Sequence, residues 1–516
     1  MRAEYSTGSD KPPLWMRIGA ITVKQYGWFK AISWGGGRVS FSTTDPLTGL
    51  TNTTTECFDI KDTTADQIYK PDQWSDDATI HYIGHIPTPS IEKAMRETWP
   101  ITLRKWNSTA NKSRLFLTGY RSGTFGPCGY DSTGFKMFQA SLKDCATKSL
   151  TTSETIRRYY EPTYIVNTRD HDIMGNGTDW MGDLGLLSDG GNNVGWKLYA
   201  GSSTKFAAPV SGNFSSLSFS SLVPNGYGVG NVDAARSTVD DSSVDPGLLA
   251  DLVMVTTTGQ VLVSRGTTSG LSSTLVRSSF GTGAPDVAVV GDFNGDLLTD
   301  VGLIYSSAGA TSLQVMLANG DGTFAAPVPW WSGTLNVSPG SFVSAADVNG
   351  DGKDDLVTRD SSTGALMAAI SPPSCASYAT VGTCPAGLSA SLGLGVSSQA
   401  LAASAIPASA RLTLGDYDRD GRADVIAVTA DGGTILGARG QADGTFGTPQ
   451  TLWSGTGASG LPVALNVDAD GMSDVAIVGT NSVTWFHANE RTTGPATMTK
   501  MTSTSDTNLS PSGRPF

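Results

Sequence analysis

One nine-residue pattern constrains this chain more than any other: Asp347-Val-Asn349-Gly-Asp351-Gly-Lys-Asp-Asp355. Oxygen-bearing side chains stand at its first, third, fifth and ninth positions, glycines stand between them, and an apolar run follows at once. The same spacing returns in Asp292, Asn294, Asp296 and Asp300, in Asp416, Asp418, Asp420 and Asp424, and in Asn466, Asp468, Asp470 and Asp474. A lone Asp/Gly-rich stretch is an ordinary turn, because both residues favour turn geometry. Copies at one internal spacing need a common cause. Calcium takes about six to eight hard oxygen ligands. A short loop supplies them when alternate side chains turn inward and glycine permits the backbone. These loops are therefore expected to hold calcium in a structural role, fixing the turn between two strands.

A longer repeat surrounds the loops. A short apolar strand leads in, the closing aspartate opens a second strand, and a Gly turn and a third strand follow. The unit ends in Gly-x-Phe-x-x-Pro, as in Gly322-Thr-Phe324-Ala-Ala-Pro327 and Gly444-Thr-Phe446-Gly-Thr-Pro449. The closing aspartates are Asp183, Asp251, Asp300, Asp355, Asp424 and Asp474, spaced 49 to 69 residues apart. Three or four short strands cannot bury a face alone, and radial stacking of such units makes a β-propeller. Residues 162–497 are expected to form an all-β propeller of six or seven blades. Its first two copies, around Asp172 and around Asn231-Val-Asp233, carry insertions and are not counted as metal loops. The Ser/Thr-rich residues 498–516 are expected to be a disordered tail. Trp330, Trp331, Trp453 and Trp485 could stack on sugar rings, but such residues more often fill the space between blades.

The first 160 residues have another texture and read as an α+β domain, which makes the chain multidomain. Leu14, Ile18, Ile21, Gln25, Trp28 and Ile32 recur at helical spacing behind Pro12-Pro13. Residues 38–60 are polar and Thr-rich and are expected to form a loop ending at Cys57. Leu115–Gly123 reads as a strand running into a turn, residues 135–146 as a helix, and Thr151-x-x-Glu154 as a capping box opening a helix to Tyr160.

Composition excludes some classes. The net charge of −12 argues against a nucleic-acid partner. No apolar run is long enough for a transmembrane helix. The low share of charged residues, 16%, with 61 glycines suits a loop-rich exported β protein. Met1-Arg-Ala-Glu-Tyr has no apolar stretch of a secretory signal, so a signal peptide and a first segment are expected to be missing from this sequence. Of the five cysteines, Cys375 and Cys384 are expected to form a local disulfide, while the pairing of Cys57, Cys128 and Cys145 stays open. His81 and His85 with these cysteines match no standard zinc spacing, so zinc is not expected there.

Gly19-Ala-Ile-Thr-Val-Lys24-Gln-Tyr26-Gly-Trp28 resembles the helix of the sporulation stage II protein D/LytB (SpoIID/LytB) domain. Asp62–Tyr69, Phe116-Leu-Thr-Gly-Tyr120-Arg-Ser122-Gly and Met137-Phe-Gln139 follow in that family's order. The resemblance covers residues 1–160 and implies a lytic transglycosylase acting on peptidoglycan glycan strands. It places the catalytic acid/base at Glu4 and substrate contacts at Lys24, Gln67, Tyr69, Tyr120, Ser122 and Gln139. Thr133–Gln139 lacks the Gly-His-Gly and Ser that family members often carry. The Asp loops resemble the FG-GAP/VCBS repeats of integrin-α-like propellers. The combined expectation is a secreted or cell-wall-associated lytic transglycosylase targeted by a calcium-containing propeller. Its alternative is a non-catalytic protein binding glycan strands or another surface polysaccharide, or an adhesion protein.

Overall fold

The computed structural model describes residues 18–26, 37–44, 51–58, most of 101–167, and 172–516 with short interruptions and without 233–248 and 371–396. Among the described residues, six antiparallel sheets are arranged as the blades of one propeller. Blade 1 holds Leu184–Asp189, Val194–Tyr199 and Val210–Phe214; blade 2 holds Leu222–Gly230, Asp251–Thr256, Gln260–Thr267 and Gly270–Ser279. Blade 3 is Val287–Gly291, Asp300–Ser307, Ala310–Met316 and Val328–Gly333, and blade 4 is Val343–Ala346, Asp355–Arg359, Leu366–Ala369 and Ser397–Leu401. Blade 5 is Arg411–Gly415, Asp424–Val428, Thr434–Ala438 and Gln450–Ser454. Blade 6 is Leu461–Leu465, Asp474–Val478, Ser482–Ala488 and Met498–Lys500.

In blades 2 to 6 the first strand lines the central channel and the chain meanders outward. The second strands explain the apolar runs. Asp424–Val428 and Asp474–Val478 are buried along their whole length, because each is covered by a neighbouring blade on both faces. Val253 and Val255 of blade 2 pack with Val301 and Leu303 of blade 3. Val357 of blade 4 packs with Val425 and Ala427 of blade 5. Branched side chains suit such pleated, two-sided burial.

The fourth strand of blade 1 comes from the far end of the sequence. Arg514–Pro515 pairs antiparallel with the Leu184–Asp189 strand, as its innermost strand. Gly185 and Phe516 exchange both backbone hydrogen bonds, each 2.9 Å. The Phe516 ring lies on Gly185, where a Cβ would meet it at 1.9 Å, and it joins the core shared by blades 1 and 2. The disordered tail expected over 498–516 is therefore corrected. Met498–Lys500 and Thr504–Ser505 both pair with the third strand of blade 6. Asp506 accepts from Lys197 Nζ at 2.7 Å and from the Tyr199 hydroxyl at 2.5 Å. Backbone pairing to a preformed edge orders a Ser/Thr-rich segment that composition alone marks as loop.

A second closure runs around one end of the channel. The residue before each closing aspartate donates its N–H to the carbonyl that starts the preceding blade's loop. The bonds are Ala250 to Asp172, Thr299 to Asn231, Asp354 to Asp292, Ala423 to Asp347, Ser473 to Asp416 and Gly182 to Asn466, all 2.7 or 2.8 Å. They form a closed ring of six.

Ahead of the propeller, the helix over residues 18–26, the helix Thr152–Tyr160 and the strand Ile101–Asn107 meet in one core of Ile18, Ile21, Leu103, Leu142, Ile156 and Tyr159. Ile101–Asn107 pairs with both Lys112–Leu115 and Tyr164–Asn167. Two expectations fail here. Within the expected loop 38–60, Gly37–Thr44 and Thr51–Phe58 pair as antiparallel strands, for which β-branched threonines are well suited. Residues 136–138 of the expected 135–146 helix are a strand parallel to Gly119–Arg121, while 141–142 and 144–145 are helical. Cys128 and Cys145 are disulfide-bonded. Cys375 and Cys384 lie outside the described residues.

This core touches the propeller through Leu297, which packs against it from the Asp292–Asp300 loop. Leu297 has φ 73°, at the position where two other loops have Gly352 and Gly421, each with φ 80°. A leucine there carries about 1–2 kcal/mol of backbone strain, offset by the apolar surface it buries.

Two predictions follow from closure and docking. Phe516→Ala should lower stability by about 3–5 kcal/mol, read as a fall in the thermal midpoint; an unchanged midpoint would mean the last strand does not close the ring. Leu297→Gly should leave the propeller's melting intact while speeding proteolytic cleavage between residues 101 and 167.

Candidate functional site: the aspartate loops and the two ends of the channel

The ninth-position aspartate is first a brace. In four blades one carboxylate oxygen accepts the N–H of the loop's second residue: Phe293, Val348, Tyr417 and Val467 donate to Asp300, Asp355, Asp424 and Asp474 at 3.1 or 3.2 Å. The other oxygen of three of them accepts an N–H at or just past the end of the third strand: Ala318, Gly440 and Ala488 donate at 2.8 or 2.9 Å. Asp183 accepts from Ile173, Met174 and Gly201, and Asp251 accepts from Gly266. The brace thus persists in blade 1, and its third-strand half in blade 2, although the loops of both lack the full oxygen pattern.

The first-position aspartate organises the loop backbone. Asp292 accepts from Gly295 and Leu297, each at 2.7 Å. Asp347 accepts from Asp351 and Gly352, and Asp416 from Asp420 and Gly421. Third-position Asn294 and Asn349 each accept the fifth residue's N–H at 2.8 Å. Positive φ at Gly350, Gly352 and Gly421 lets the chain coil around these side chains.

Carboxylates so placed repel one another in a poorly solvated site. Burial, then the neighbouring aspartates, push Asp292, Asp300, Asp416 and Asp424 well above the usual carboxylate range. Burial and Asp418 raise Asp420 to about 7. A divalent cation would relieve that repulsion. The donor chemistry fits calcium in the loops 292–300 and 347–355, where Asp292, Asn294 and Asp296, or Asp347, Asn349 and Asp351, would hold it with the closing aspartate. In the loop 416–424, protein cations already stand beside the acids: Arg439 lies 2.6 Å from Asp418, and Arg422 pairs with Asp420. Asp470 of the fourth loop lies outside the described residues.

The implied catalytic set is not assembled among the described residues. Glu4, Gln67, Tyr69, Ser122 and Gln139 lie outside them. Tyr120 is on the strand Gly119–Arg121, paired with Met137. Lys24 is turned into the protein: it is 9% exposed, donates to the Ile101 carbonyl, and burial lowers its pKa to about 7. Its place is that of a strut rather than an open sugar contact. The tryptophans follow the bland reading. Trp330, Trp331 and Trp485 are buried, and Trp453 packs edge-on against Phe486 at 4.8 Å.

The channel has two unlike ends. Near the loops, a cavity of about 540 Å³ is lined by the first strands, with Ile101 also in its wall. The far end opens into a cavity of about 840 Å³ whose walls include Tyr227, Asn225, Phe342, Arg359, Asp360 and Arg411. Arg359 is fixed by the carbonyls of Ile406, Pro407 and Ala410 at 3.1, 2.9 and 3.2 Å. Sequence reasoning missed this end because its residues come from blades far apart in the chain.

Residues 292–358 match the FG-GAP-like repeat family, covering the two loops with asparagine in third position. No curated protein sequence matches the chain. Among solved structures, a lectin of Agrocybe aegerita, titled for specific recognition of non-reducing terminal N-acetylglucosamine, is similar at 14% identity and TM-score 0.35, over 65% of this chain and 87% of that one. AofleA from Arthrobotrys oligospora is similar at 10% identity and TM-score 0.39, over 67% and 88%. The Tc holotoxin pore of Photorhabdus luminescens is similar at 15% identity and TM-score 0.31, over 59% and 14%.

The braces carry a pH signature. Burial, then Asp172, raises Asp183 from 3.8 to about 7. Between these values the folded state keeps a proton that the unfolded state has lost, so stability falls as pH rises through that window. In chelator, the thermal midpoint should drop between pH 4 and pH 7, and Asp183→Asn should flatten the slope while costing about 1–3 kcal/mol at low pH. A slope equally steep in the variant would remove Asp183 as its source.

Proposed function

We propose that this is an exported recognition protein whose propeller binds carbohydrate at the open far end of its channel, with calcium stiffening the opposite end. The carrying observation is the cavity of about 840 Å³ at that end. It combines the aromatic side chains of Tyr227 and Phe342 with amide, carboxylate and guanidinium groups at Asn225, Asp360 and Arg411. Apolar sugar faces stack on aromatic rings, and hydroxyls pair with planar polar groups; a concave site with a few placed polar groups is the usual form of a small-ligand pocket. Arg359, held by three carbonyls, gives the wall a rigid backing. The sugar named for the Agrocybe lectin supplies a ligand to try first and no evidence for it.

The calcium part rests on the oxygen-only donor sets around Asp292 and Asp347. When bound, the ion supplies positive charge between the acids; the chain's own residues set the loop path through the hydrogen bonds already described.

Titration with N-acetylglucosamine oligomers, neutral oligosaccharides and peptide-free peptidoglycan strands tests the reading. Arg411→Ala should weaken binding at least about tenfold, or 1.4 kcal/mol, with the fold unchanged. Binding that ignores Arg411, or no sugar binding at all, would overturn it. A lytic activity through Glu4 would instead yield anhydro-muramic ends that vanish in Glu4→Gln, and their appearance would displace the binding reading.

A further inference from the structure

The residue at one register position of the third strand differs between blades in step with the third position of the loop. Strand register identifies it. Val301, Leu356, Val425 and Val475 pair with Met316, Ala369, Ala438 and Phe486, and the next residues are Leu317, Ile370, Arg439 and His487. Blades 3 and 4 combine Asn294 and Asn349 with apolar Leu317 and Ile370. Blade 5 combines Asp418 with Arg439, which supplies a fixed positive charge 2.6 Å away. Blade 6 combines Asp468 with a histidine.

His487 Nδ1 lies 3.2 Å from Asp468 Oδ2 and 3.3 Å from Asp474 Oδ1. One donor atom from each residue falls within 4.8 Å of the others. An imidazole nitrogen facing two carboxylate oxygens needs a positive centre between them, either a proton or a metal ion. The spacing bears on which. Ligands bound at about 2.0 Å in a tetrahedron stand about 3.3 Å apart, which is the separation found on both sides of Nδ1. The ring is held in that orientation by Trp485, edge-on at 6.0 Å, and Asp474 is held by the N–H groups of Val467 and Ala488. A nitrogen ligand favours zinc-class ions over calcium, which prefers oxygen alone.

We propose that the blade 6 loop is a mixed nitrogen–oxygen site for a zinc-class divalent ion, held by Asp468, Asp474 and His487, with water completing the coordination. It goes beyond the carbohydrate reading and does not depend on it. The loops of blades 3 and 4, with Leu317 and Ile370 in place of the imidazole, keep their oxygen-only character.

The test uses the full chain saturated with calcium, titrated with Zn²⁺ by calorimetry and with Co²⁺ by visible absorption. The wild type should take up one tight equivalent of either probe in the continued presence of calcium, with a cobalt spectrum of low-coordinate nitrogen–oxygen type. His487→Leu, which copies blade 3, should weaken that site at least about 100-fold without altering calcium uptake elsewhere. His487→Gln, similar in size and polar, serves if the leucine variant fails to fold and should show the same loss. Equal zinc affinity in wild type and variants, or displacement of zinc by calcium, would overturn the proposal and leave a proton as the only charge between the three groups.

Discussion

The propeller depends on six backbone hydrogen bonds that run from loop to loop around one end of the channel. Each joins the carbonyl opening one blade's loop to an amide just before the next blade's closing aspartate. A backbone ring of this kind asks nothing of side-chain identity, so it survives where the loops have diverged: Asp172 and Asn231 take part as fully as Asp292 or Asp347. It does require that each loop follow one path, and the loop's own side chains set that path. The first-position carboxylate gathers the amides of positions five and six, and in blade 3 of position four as well, and the buried closing aspartate ties the loop to its own blade. Buried groups so fully bonded are costly to disturb, which makes the loops rigid whether or not a cation joins them.

What the sequence disclosed and what it hid divide along a physical line. The loops were legible because their information is local: nine consecutive residues carry the spacing, and the strand begins at Asp300, Asp355, Asp424 and Asp474 as the pattern implies. Repetition then pointed to blades. Features set by distant partners were not legible. Arg514–Pro515 has no strand signature and becomes a strand because Leu186 and Leu187 offer an edge. His487 meets Asp468 only through the register of the hairpin between them. The Cys128–Cys145 bond depends on a fold that spacing does not reveal. Leu297 looks like one more apolar residue, and only its backbone angle marks it as a leucine standing in a glycine's place.

The two ends of the channel divide the labour. The loop end concentrates acidic groups and carries the first part of the chain against Leu297. The far end is open, with aromatic and polar groups from separate blades converging on one cavity. Rigidity at the first end holds the first strands in register, and these same strands supply Tyr227 and Arg411 at the second, with Phe342 just ahead of one of them. Precise placement of side chains across several blades is what the proposed sugar site needs, and a closed ring provides it without any one blade having to be stable alone.

The placement of Arg514–Pro515 in the first blade also bears on how the molecule comes into being. Most pairings here are between neighbours in the chain and form quickly, as hairpins do. The bonds between Gly185 and Phe516 are of the opposite kind, since they join residues separated by nearly the whole propeller. Contacts of such sequence separation slow folding, because the loop entropy is spent before the contact rewards it. Until residues 514–516 pair, the first blade presents a bare inner edge, open to pairing with another chain. An open ring, with that edge unpaired, is thus the stage of folding at which the blade is exposed to wrong pairing.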